Sequence, residues 1–212
     1  MAEDSIHRLA DGTQIHTRPL RPDDREKLRN GFARMSPESK YRRFFAAPAR
    51  LSEATLDYLT CTDGWNHVAI GAELADDGAD TSYGIGIARF VRLDEDPTKA
   101  EAAVAVIDEM QHRGVGRLLL GELIKAARAR EVGTFVCHVL PSNEPVKSLL
   151  QGLDAEATVR AEEGVLTYEV ALPEATPDER ASPMYRLFRL AAEGLRVIFR
   201  RVPGSEPDGP PE

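Results

Sequence analysis

Gln111-His112-Arg113-Gly114-Val115-Gly116-Arg117 is the stretch of sequence that decides the fold. It follows an apolar strand-like run and opens the most regular helical pattern of the chain. Glycine places no Cβ in the way of a ligand, and the N-terminus of a helix carries unpaired N–H groups and a partial positive charge. With its two arginines, this stretch predicts a loop that holds a phosphate or pyrophosphate group.

Two common nucleotide-binding motifs do not fit the spacing of this loop. A dinucleotide-binding fingerprint needs a third glycine where the chain has Leu119. A Walker loop needs Lys and then Ser or Thr after its last glycine, whereas Arg117 and Leu118 follow Gly116. From the residues alone, the remaining alternative is a tight strand-to-helix turn that binds nothing.

The elements around the loop predict an α/β fold. The helix of residues 114–131 has apolar residues at a period of about 3.6, and a continuous apolar strand over residues 134–140 follows it. The other predicted elements are, in chain order, strand 15–18, helix 21–34, helices that start at Ser36 and Ser52, strands 67–73, 82–92 and 101–107, helix 144–153, and a closing hairpin of strands 156–160 and 165–171. This order predicts a mixed, mostly antiparallel sheet flanked by helices.

Composition divides the chain into a folded body and a C-terminal appendage. The predicted parts are an N-terminal segment over residues 1–12, a domain over 13–172, a linker over 173–183, an amphipathic basic helix over 184–201 and a disordered tail over 202–212. The helix holds five arginines and one glutamate. Because an isolated helix of this length is marginal in water, its apolar face should pack on its own domain, on a second protomer or on an anionic membrane.

Charge and composition exclude several classes of protein. The 212 residues carry 27 Lys and Arg against 35 Asp and Glu, a net charge of −8, which argues against a nucleic-acid-binding protein. No apolar run is long enough to span a membrane, and the N-terminus lacks the apolar core of a secretory signal. Two cysteines, Cys61 and Cys137, are too few for a disulfide framework or a zinc cluster. We therefore expect a cytoplasmic protein with no metal and no nucleic-acid partner.

The loop and its surroundings resemble those of the GNAT acetyltransferases over residues 13–172. The stretch from Gln111 to Gly116 fits the family's pyrophosphate pattern Gln/Arg-x-x-Gly-x-Gly/Ala, and Asn143 stands where the family places an Asn that contacts acetyl-CoA. Two further stretches resemble bacterial protein lysine acetyltransferases of the Pat type, namely Ser36-Pro37-Glu38-Ser39-Lys40-Tyr41-Arg42-Arg43-Phe44-Phe45 and Asn143-Glu144-Pro145-Val146. The resemblance therefore implies a GNAT fold and an acetyltransferase.

The resemblance also implies a site for acetyl-CoA as the acyl donor. The implied cofactor-binding residues are Val104, Ala105, Val106, Gln111, His112, Arg113, Gly114, Val115, Gly116, Arg117 and Asn143. Residues 104–106 would pair through their backbone with the pantetheine arm, in a gap where the strands around Val106 and Val139 splay apart. The N–H of Val106 is then expected to act as a catalytic oxyanion donor toward the thioester carbonyl.

Transfer to a lysine requires a base, because a lysine ammonium has a pKa of about 10.4 and attacks only as the neutral amine. The resemblance implies Glu101 for this role, since it stands ten residues before Gln111, at the position of the Pat-type glutamate. His138 and Glu73 are alternative bases. Cys137 could accept the acetyl group covalently, but a buried thiol has a raised pKa and GNAT enzymes transfer directly in a ternary complex.

One position departs from the family's pattern. Many GNAT enzymes have a Tyr seven residues after the Asn, as the general acid for the leaving thiolate, and this chain has Leu150 there. Because a thiol of pKa about 8.5 can leave without strong acid assistance, we still expect activity. The departure keeps open the alternative of a catalytically silent acetyl-CoA-binding module.

The expected function is therefore an acetyl-CoA-dependent N-acetyltransferase that acts on an amine, above all a protein lysine. The alternative acceptor is a small amine. Family resemblance implies an acyl-CoA synthetase as a protein partner, and helix 184–201 suggests a homo-oligomer. The spacing of Tyr41, Phe44 and Phe45 predicts one core-facing helix stripe. The resemblance implies that the first helices border the acceptor groove, where their exposed residues would select the acceptor.

Overall fold

A mixed sheet organises the protein, whose computed structural model describes residues 4–46, 48–75, 78, 81–151 and 157–174. The strands are β1 (Ser5–Arg8), β2 (Gln14–Pro19), β3 (His67–Leu74), β4 (Gly86–Arg92), β5 (Lys99–Val106), β6 (Thr134–Val139), β7 (Ala157–Glu162) and β8 (Val165–Ala171). They form one eight-stranded sheet in the order β1-β2-β3-β4-β5-β6-β8-β7. Every neighbouring pair is antiparallel except β5 and β6, which are parallel. The predicted fold class is confirmed.

Helices connect the strands of the sheet and pack against it. They are α1 (Arg25–Ala33), α2 (Pro37–Phe44), α3 (Glu53–Thr60), α4 (Val115–Arg128) and α5 (Glu144–Gln151), with short 3-10 turns at Pro22–Asp24 and Asp108–Met110. Both predicted serine caps are present, because Ser36 Oγ accepts from Ser39 N and Ser52 Oγ accepts from Thr55 N, each at 3.1 Å. These caps fix where α2 and α3 begin.

Helix α4 provides the main packing of the core. It lies against β3, β4 and β5, and its apolar stripe of Leu119, Leu123 and Ala127 is completely buried. Burial of such side chains contributes about 1.5–3 kcal/mol each. The same helix begins at the predicted phosphate loop, so the core packing also fixes the position of that loop.

The sheet begins earlier than the predicted domain boundary at residue 13. Strand β1 lies in the predicted N-terminal segment and pairs with β2 from Ser5 opposite Thr17 to Arg8 opposite Gln14. Its sequence has one large apolar residue, Ile6, which is exposed, so no hydrophobic alternation marks the strand. Backbone pairing holds β1 in place.

The predicted aromatic stripe on α2 is wrong for two of its three members. Phe44 packs edge-on against Phe32, with ring centroids 5.6 Å apart. Tyr41 is 50% exposed, and Phe45 is 41% exposed. Phe45 ends the helix in a left-handed conformation with φ 56°, so it leaves the helix face that the spacing assumed.

The predicted linker from residue 175 onward, the basic helix 184–201 and the tail 202–212 lie outside the described residues. Within the described part of the chain, no helix is long and apolar enough to cross a membrane.

Candidate active site

The sheet forks between β5 and β6. The two strands pair only from Lys99 opposite Thr134 to Glu101 opposite Val136. Beyond this point β5 continues to Val106 and β6 continues to Val139 without pairing. The expected splay between the strands is therefore present, and it leaves main-chain groups in the middle of the sheet without a strand partner.

A cavity of about 540 Å³ opens at this fork. Most of the predicted cofactor-binding residues line it, namely Val104, Ala105, Val106, Gln111, His112, Gly114, Gly116, Arg117 and Asn143. Val115 is completely buried in the core below the loop. Arg113 points away from the cavity, because its guanidinium bonds to Asp11 Oδ2 at 2.6 and 2.8 Å and to Thr13 Oγ1 at 2.7 Å. These two side chains are thus placed to support the loop.

The hydrogen-bond alternation of β5 determines which backbone groups face the gap. Ile107 N donates to Ile85 O at 3.0 Å, so the odd-numbered residues bond to β4. The N–H and C=O groups of Val104 and Val106 consequently point to the opposite side, where β6 has diverged. Ala105 uses its own backbone groups toward β4 and contributes only its side chain. The N–H of Val106 is therefore oriented as the oxyanion role requires.

The glycine loop presents an open helix N-terminus to the cavity. Gly114 adopts φ 96°, which side chains disfavour, and it begins α4 without a side-chain cap. A Cβ at Gly116 would lie 3.8 Å from both Leu149 and Val106, which is ordinary contact distance. The first N–H groups of α4 therefore have no capping side chain and sit where an anion can approach them.

A polar network joins α2 to this loop. Gln111 Nε2 donates to Val106 O at 3.0 Å and to Ser39 Oγ at 3.2 Å. Asp108 accepts from Ser36 N at 2.9 Å, from Ser36 Oγ at 2.7 Å and from Ser39 Oγ at 3.0 Å. These hydrogen bonds lower the pKa of Asp108 against an opposing effect of burial. Hence the first residues of the Pat-like stretch hold the end of β5 and the loop together.

Asn143 has a structural role that the sequence did not reveal. It is buried, and its Oδ1 accepts from Val146 N at 3.4 Å, at the start of α5. Its backbone N–H bonds to Leu140 O at 2.9 Å. The residue therefore shapes the turn from β6 to α5 on the cavity wall.

Glu101 stands at the fork itself. It is the last residue of β5 that pairs with β6, and its side chain is 43% exposed. Arg89 Nη2 lies 3.5 Å from its Oε1. The register puts Glu101, Arg89 and His138 on one face of the sheet, the face toward which α2 and α3 direct Arg43 and Tyr58. A carboxylate in this position can accept a proton from an amine that approaches the gap from that face.

The alternative bases differ in their surroundings. His138 is exposed on the cavity wall, and its Nδ1 lies 3.2 Å from Thr167 Oγ1. Glu73 lies outside the cavity lining and is held by Lys27, His16 and Arg18. Burial opposes the ionisation of Glu73, but hydrogen bonds from Lys27 and His16 and the charges of Lys27 and Arg18 lower its pKa. Glu73 is thus a structural ion-pair partner.

Cys137 and Leu150 complete the inner wall. Burial raises the pKa of the Cys137 thiol to about 12, with a further contribution from the Glu101 charge. A thiol with this pKa stays protonated and is a poor nucleophile. Leu150 is buried and lines the cavity, so the position of the usual tyrosine is close to the site but offers no proton.

Two arginines near Glu101 were not singled out from the sequence. Arg43 lines the cavity from α2, and Arg89 reaches the same region from β4. Burial, together with the like charge of Arg89, lowers the pKa of Arg43 to about 10. The approach of α2 to β5 could not be derived from local patterns, because residues 43, 89 and 101 meet only in the folded sheet.

Among the described residues, no group of three or more His, Cys, Asp or Glu side chains is arranged to hold a metal ion. The two cysteines are free. The cavity is lined by main-chain groups of β5 and the loop, by Arg42, Arg43 and Arg117 and by the carboxylate of Glu144, whereas Glu101 stands at the fork beside this lining.

The sequence pattern of the Acetyltransferase (GNAT) family matches residues 38–153, which span the loop, the fork and Glu101. The chain belongs to the GNAT family. The predicted resemblance and enzyme class are confirmed at the level of this family. The match begins inside α2 and ends just after α5, so it contains every residue of the cavity wall except Met35.

Within the family, the chain is similar to acetyltransferases named Pat. It is 34% identical to acetyltransferase Pat of Mycolicibacterium smegmatis over 169 residues, which are 76% of this chain and 47% of that protein. The chain thus spans about half the length of that relative. Its structure matches the GNAT domain of Streptomyces lividans Pat with a TM-score of 0.73 and 30% identity, covering 80% of this chain and 97% of that domain.

A more distant structural neighbour shows the same fold. A Salmonella typhimurium structure solved with its cofactor acetyl-CoA matches with a TM-score of 0.58 and 17% identity, covering 79% of this chain and 99% of that one. At this identity the likeness concerns the fold, which is one that holds acetyl-CoA in that neighbour.

Proposed function

We propose that the protein is an acetyl-CoA-dependent N-acetyltransferase whose acceptor is a lysine side chain of a protein. One observation carries the proposal: the cavity at the strand fork contains the uncapped N-terminus of α4, and Glu101 stands at the same fork, close to the lining residues Arg43 and Cys137. Similarity to Pat supports a protein lysine as the acceptor. The acetyl-CoA-bound neighbour supports the donor.

The groups around the cavity match the diphosphate and the pantetheine arm of acetyl-CoA. The N–H groups at the uncapped start of α4 and the guanidinium of Arg117, which lines the cavity, would hold the diphosphate. The gap-facing backbone groups of Val104 would pair with the amides of the pantetheine arm, while the carbonyl of Val106 accepts from Gln111 and its N–H is left for the thioester. The cavity volume of about 540 Å³ is adequate for the arm of such a ligand.

Glu101 would act as the general base. Its carboxylate, directly or through one water, takes a proton from the lysine nitrogen while that nitrogen forms a bond to the thioester carbonyl carbon. The N–H of Val106 donates to the carbonyl oxygen as negative charge develops there. The carbon–sulfur bond then breaks, and the thiolate takes its proton from water because Leu150 has none to give.

The test is acetylation of a bacterial lysate with isotope-labelled acetyl-CoA, read by mass spectrometry. The expected result is labelled acetyl-lysine in the presence of the wild type, and none above background with Glu101→Gln. Release of thiol only on addition of small amines would favour the alternative acceptor. Binding of acetyl-CoA without transfer to any acceptor would favour a silent binding module.

The partners beyond acetyl-CoA follow from the same similarity. An acyl-CoA synthetase is the proposed protein substrate, and the cytoplasm is the proposed location. A homo-oligomer held by the predicted helix 184–201 is a further proposal, based on the apolar stripe and five arginines of that segment. Deletion of residues 184–212 should leave acetyl-CoA binding intact and change the elution volume or the melting temperature.

A further inference from the structure

The acceptor side of the cavity carries more positive than negative charge. Arg43 and Arg89 both lie near one carboxylate, Glu101, and His67 beside them has a pKa lowered by burial and by Arg89. Tyr58 packs against His67, with ring centroids 4.6 Å apart, and receives a bond from Arg89. This local excess contrasts with the chain's net charge of −8.

Neither arginine is fully satisfied. Arg43 has no hydrogen bond or ion pair with any described residue, and its guanidinium carbon lies 5.0 Å from the centre of the Phe44 ring. Arg89 has a side chain that is 13% exposed, and its buried Nε has no hydrogen-bond partner within the described chain. Its contact with Glu101 is long, at 3.5 Å. By contrast Arg42, which also lines the cavity, is paired with Glu38.

Arg43 is half-buried and the Nε of Arg89 is buried, and withdrawing guanidinium groups from water is costly unless an anion accompanies them. Their planar donors match a carboxylate, which they bind with two parallel hydrogen bonds. We propose that Arg43 and Arg89 form a carboxylate-binding subsite that selects an acceptor amine with an acidic group beside it. The proposal rests on the acetyltransferase function and defines its acceptor class.

The position of the subsite favours the acceptor over the acyl group as the source of the carboxylate. The acyl donor would lie within the plane of the sheet, in the gap between β5 and β6. Arg43 comes from α2, on the sheet face that also carries Glu101 and His138. An amine that reaches Glu101 must pass over this face, so its neighbouring groups meet the two guanidinium groups.

The experiment uses matched lysine peptides in which the residues next to the lysine are Asp or Asn, with the full chain as enzyme. We expect kcat/KM for the best acidic peptide to exceed that of its neutral partner by about tenfold or more, the scale of one charge-assisted hydrogen bond. Arg43→Gln should remove this ratio, Arg43→Lys should retain part of it, and Arg34→Gln on α1 should leave it unchanged. Equal ratios in wild type and Arg43→Gln would overturn the proposal.

Peptide binding to the enzyme saturated with coenzyme A, measured by fluorescence anisotropy, separates this proposal from the function itself. Tighter binding of acidic peptides that depends on Arg43, without transfer, would leave the subsite standing and reject the lysine acetyltransferase. Transfer to lysine peptides without any preference for acidic neighbours would support the lysine acetyltransferase and reject the subsite.

A comparison of succinyl-CoA with acetyl-CoA as the donor tests the other source of the carboxylate. An effect of Arg43→Gln that is confined to succinyl-CoA would assign the carboxylate to the acyl group and reject the subsite as proposed.

Discussion

The two ends of the cavity are built by different means. The cofactor end consists of main-chain groups from one continuous stretch, residues 104–117, with an open helix N-terminus and the unpaired edge of β5. The acceptor end consists of side chains from α2, α3, β4, β5 and β6, brought together by the sheet. The first end holds a ligand through backbone geometry, whereas the second depends on which side chains are present.

The largest expected effect comes from filling the cofactor end. Gly116→Trp should abolish acetyl-CoA binding in calorimetry, because the indole would occupy the space above the helix N-terminus. The matched control is Gly121→Trp on the same helix, where a Cβ meets nothing within 4 Å. Gly114→Trp should also abolish binding but is a poorer test, since φ 96° strains any side chain. A folded Gly116→Trp protein with unchanged affinity would contradict the assignment of this loop.

The next effect separates chemistry from binding. Glu101→Gln should lower kcat by about 10²–10⁴ while the dissociation constant of acetyl-CoA stays the same. His138→Gln should lower kcat far less, and Glu73→Gln should act on stability rather than on kcat, because Glu73 lies in an ion-pair cluster outside the cavity. Steady-state rates give kcat, and calorimetry on the same samples gives the dissociation constant of acetyl-CoA. Full activity of Glu101→Gln at neutral pH would move the base to His138 or to water.

Loss of the Asp108 hydrogen bonds, which join α2 to the loop, should have a moderate effect on the stability of the fold. Asp108→Asn weakens the bonds to Ser36 and Ser39, which should cost about 1 kcal/mol and lower the melting temperature by about 2–4 °C. The folded state lowers the pKa of Asp108, so its stabilisation is present above the unfolded pKa of about 3.9 and is lost as pH falls through the folded value. The difference between wild type and variant should therefore vanish in acid. A difference that does not shrink as the pH falls below about 3.9 would contradict this account.

The smallest effect concerns the thiol beside the fork. At pH 8 an alkylating reagent should modify exposed Cys61 and spare Cys137, whose pKa is raised to about 12 by burial. Cys137→Ala should keep most of the transfer activity, and no acetylated enzyme should accumulate. Intact mass measured after incubation with acetyl-CoA checks both expectations. An acetyl group on Cys137 would show that transfer is not direct.

The contrast between the ends also explains how far the sequence could be interpreted. The loop, the helix behind it and the serine caps of α2 and α3 depend on neighbours within a few residues, so local patterns predicted them. Strand β1 was missed because its residues carry no hydrophobic alternation, while its place in the sheet is set by pairing with β2. The arginines at residues 43 and 89 were missed because their meeting with Glu101 requires the register of β4 and β5 and the docking of α2.

The fork has a consequence for how such a protein changes over time. Every amino acid except proline offers the same N–H and C=O at positions 104 and 106, so a replacement there leaves the ligand-facing groups in place. The ligand-facing groups of β5 therefore depend on the path of the backbone and not on the identity of the side chains. Lineages could therefore drift along β5 and keep the proposed donor site, whereas under the proposed subsite an exchange at residue 43 would change the preference for the acceptor.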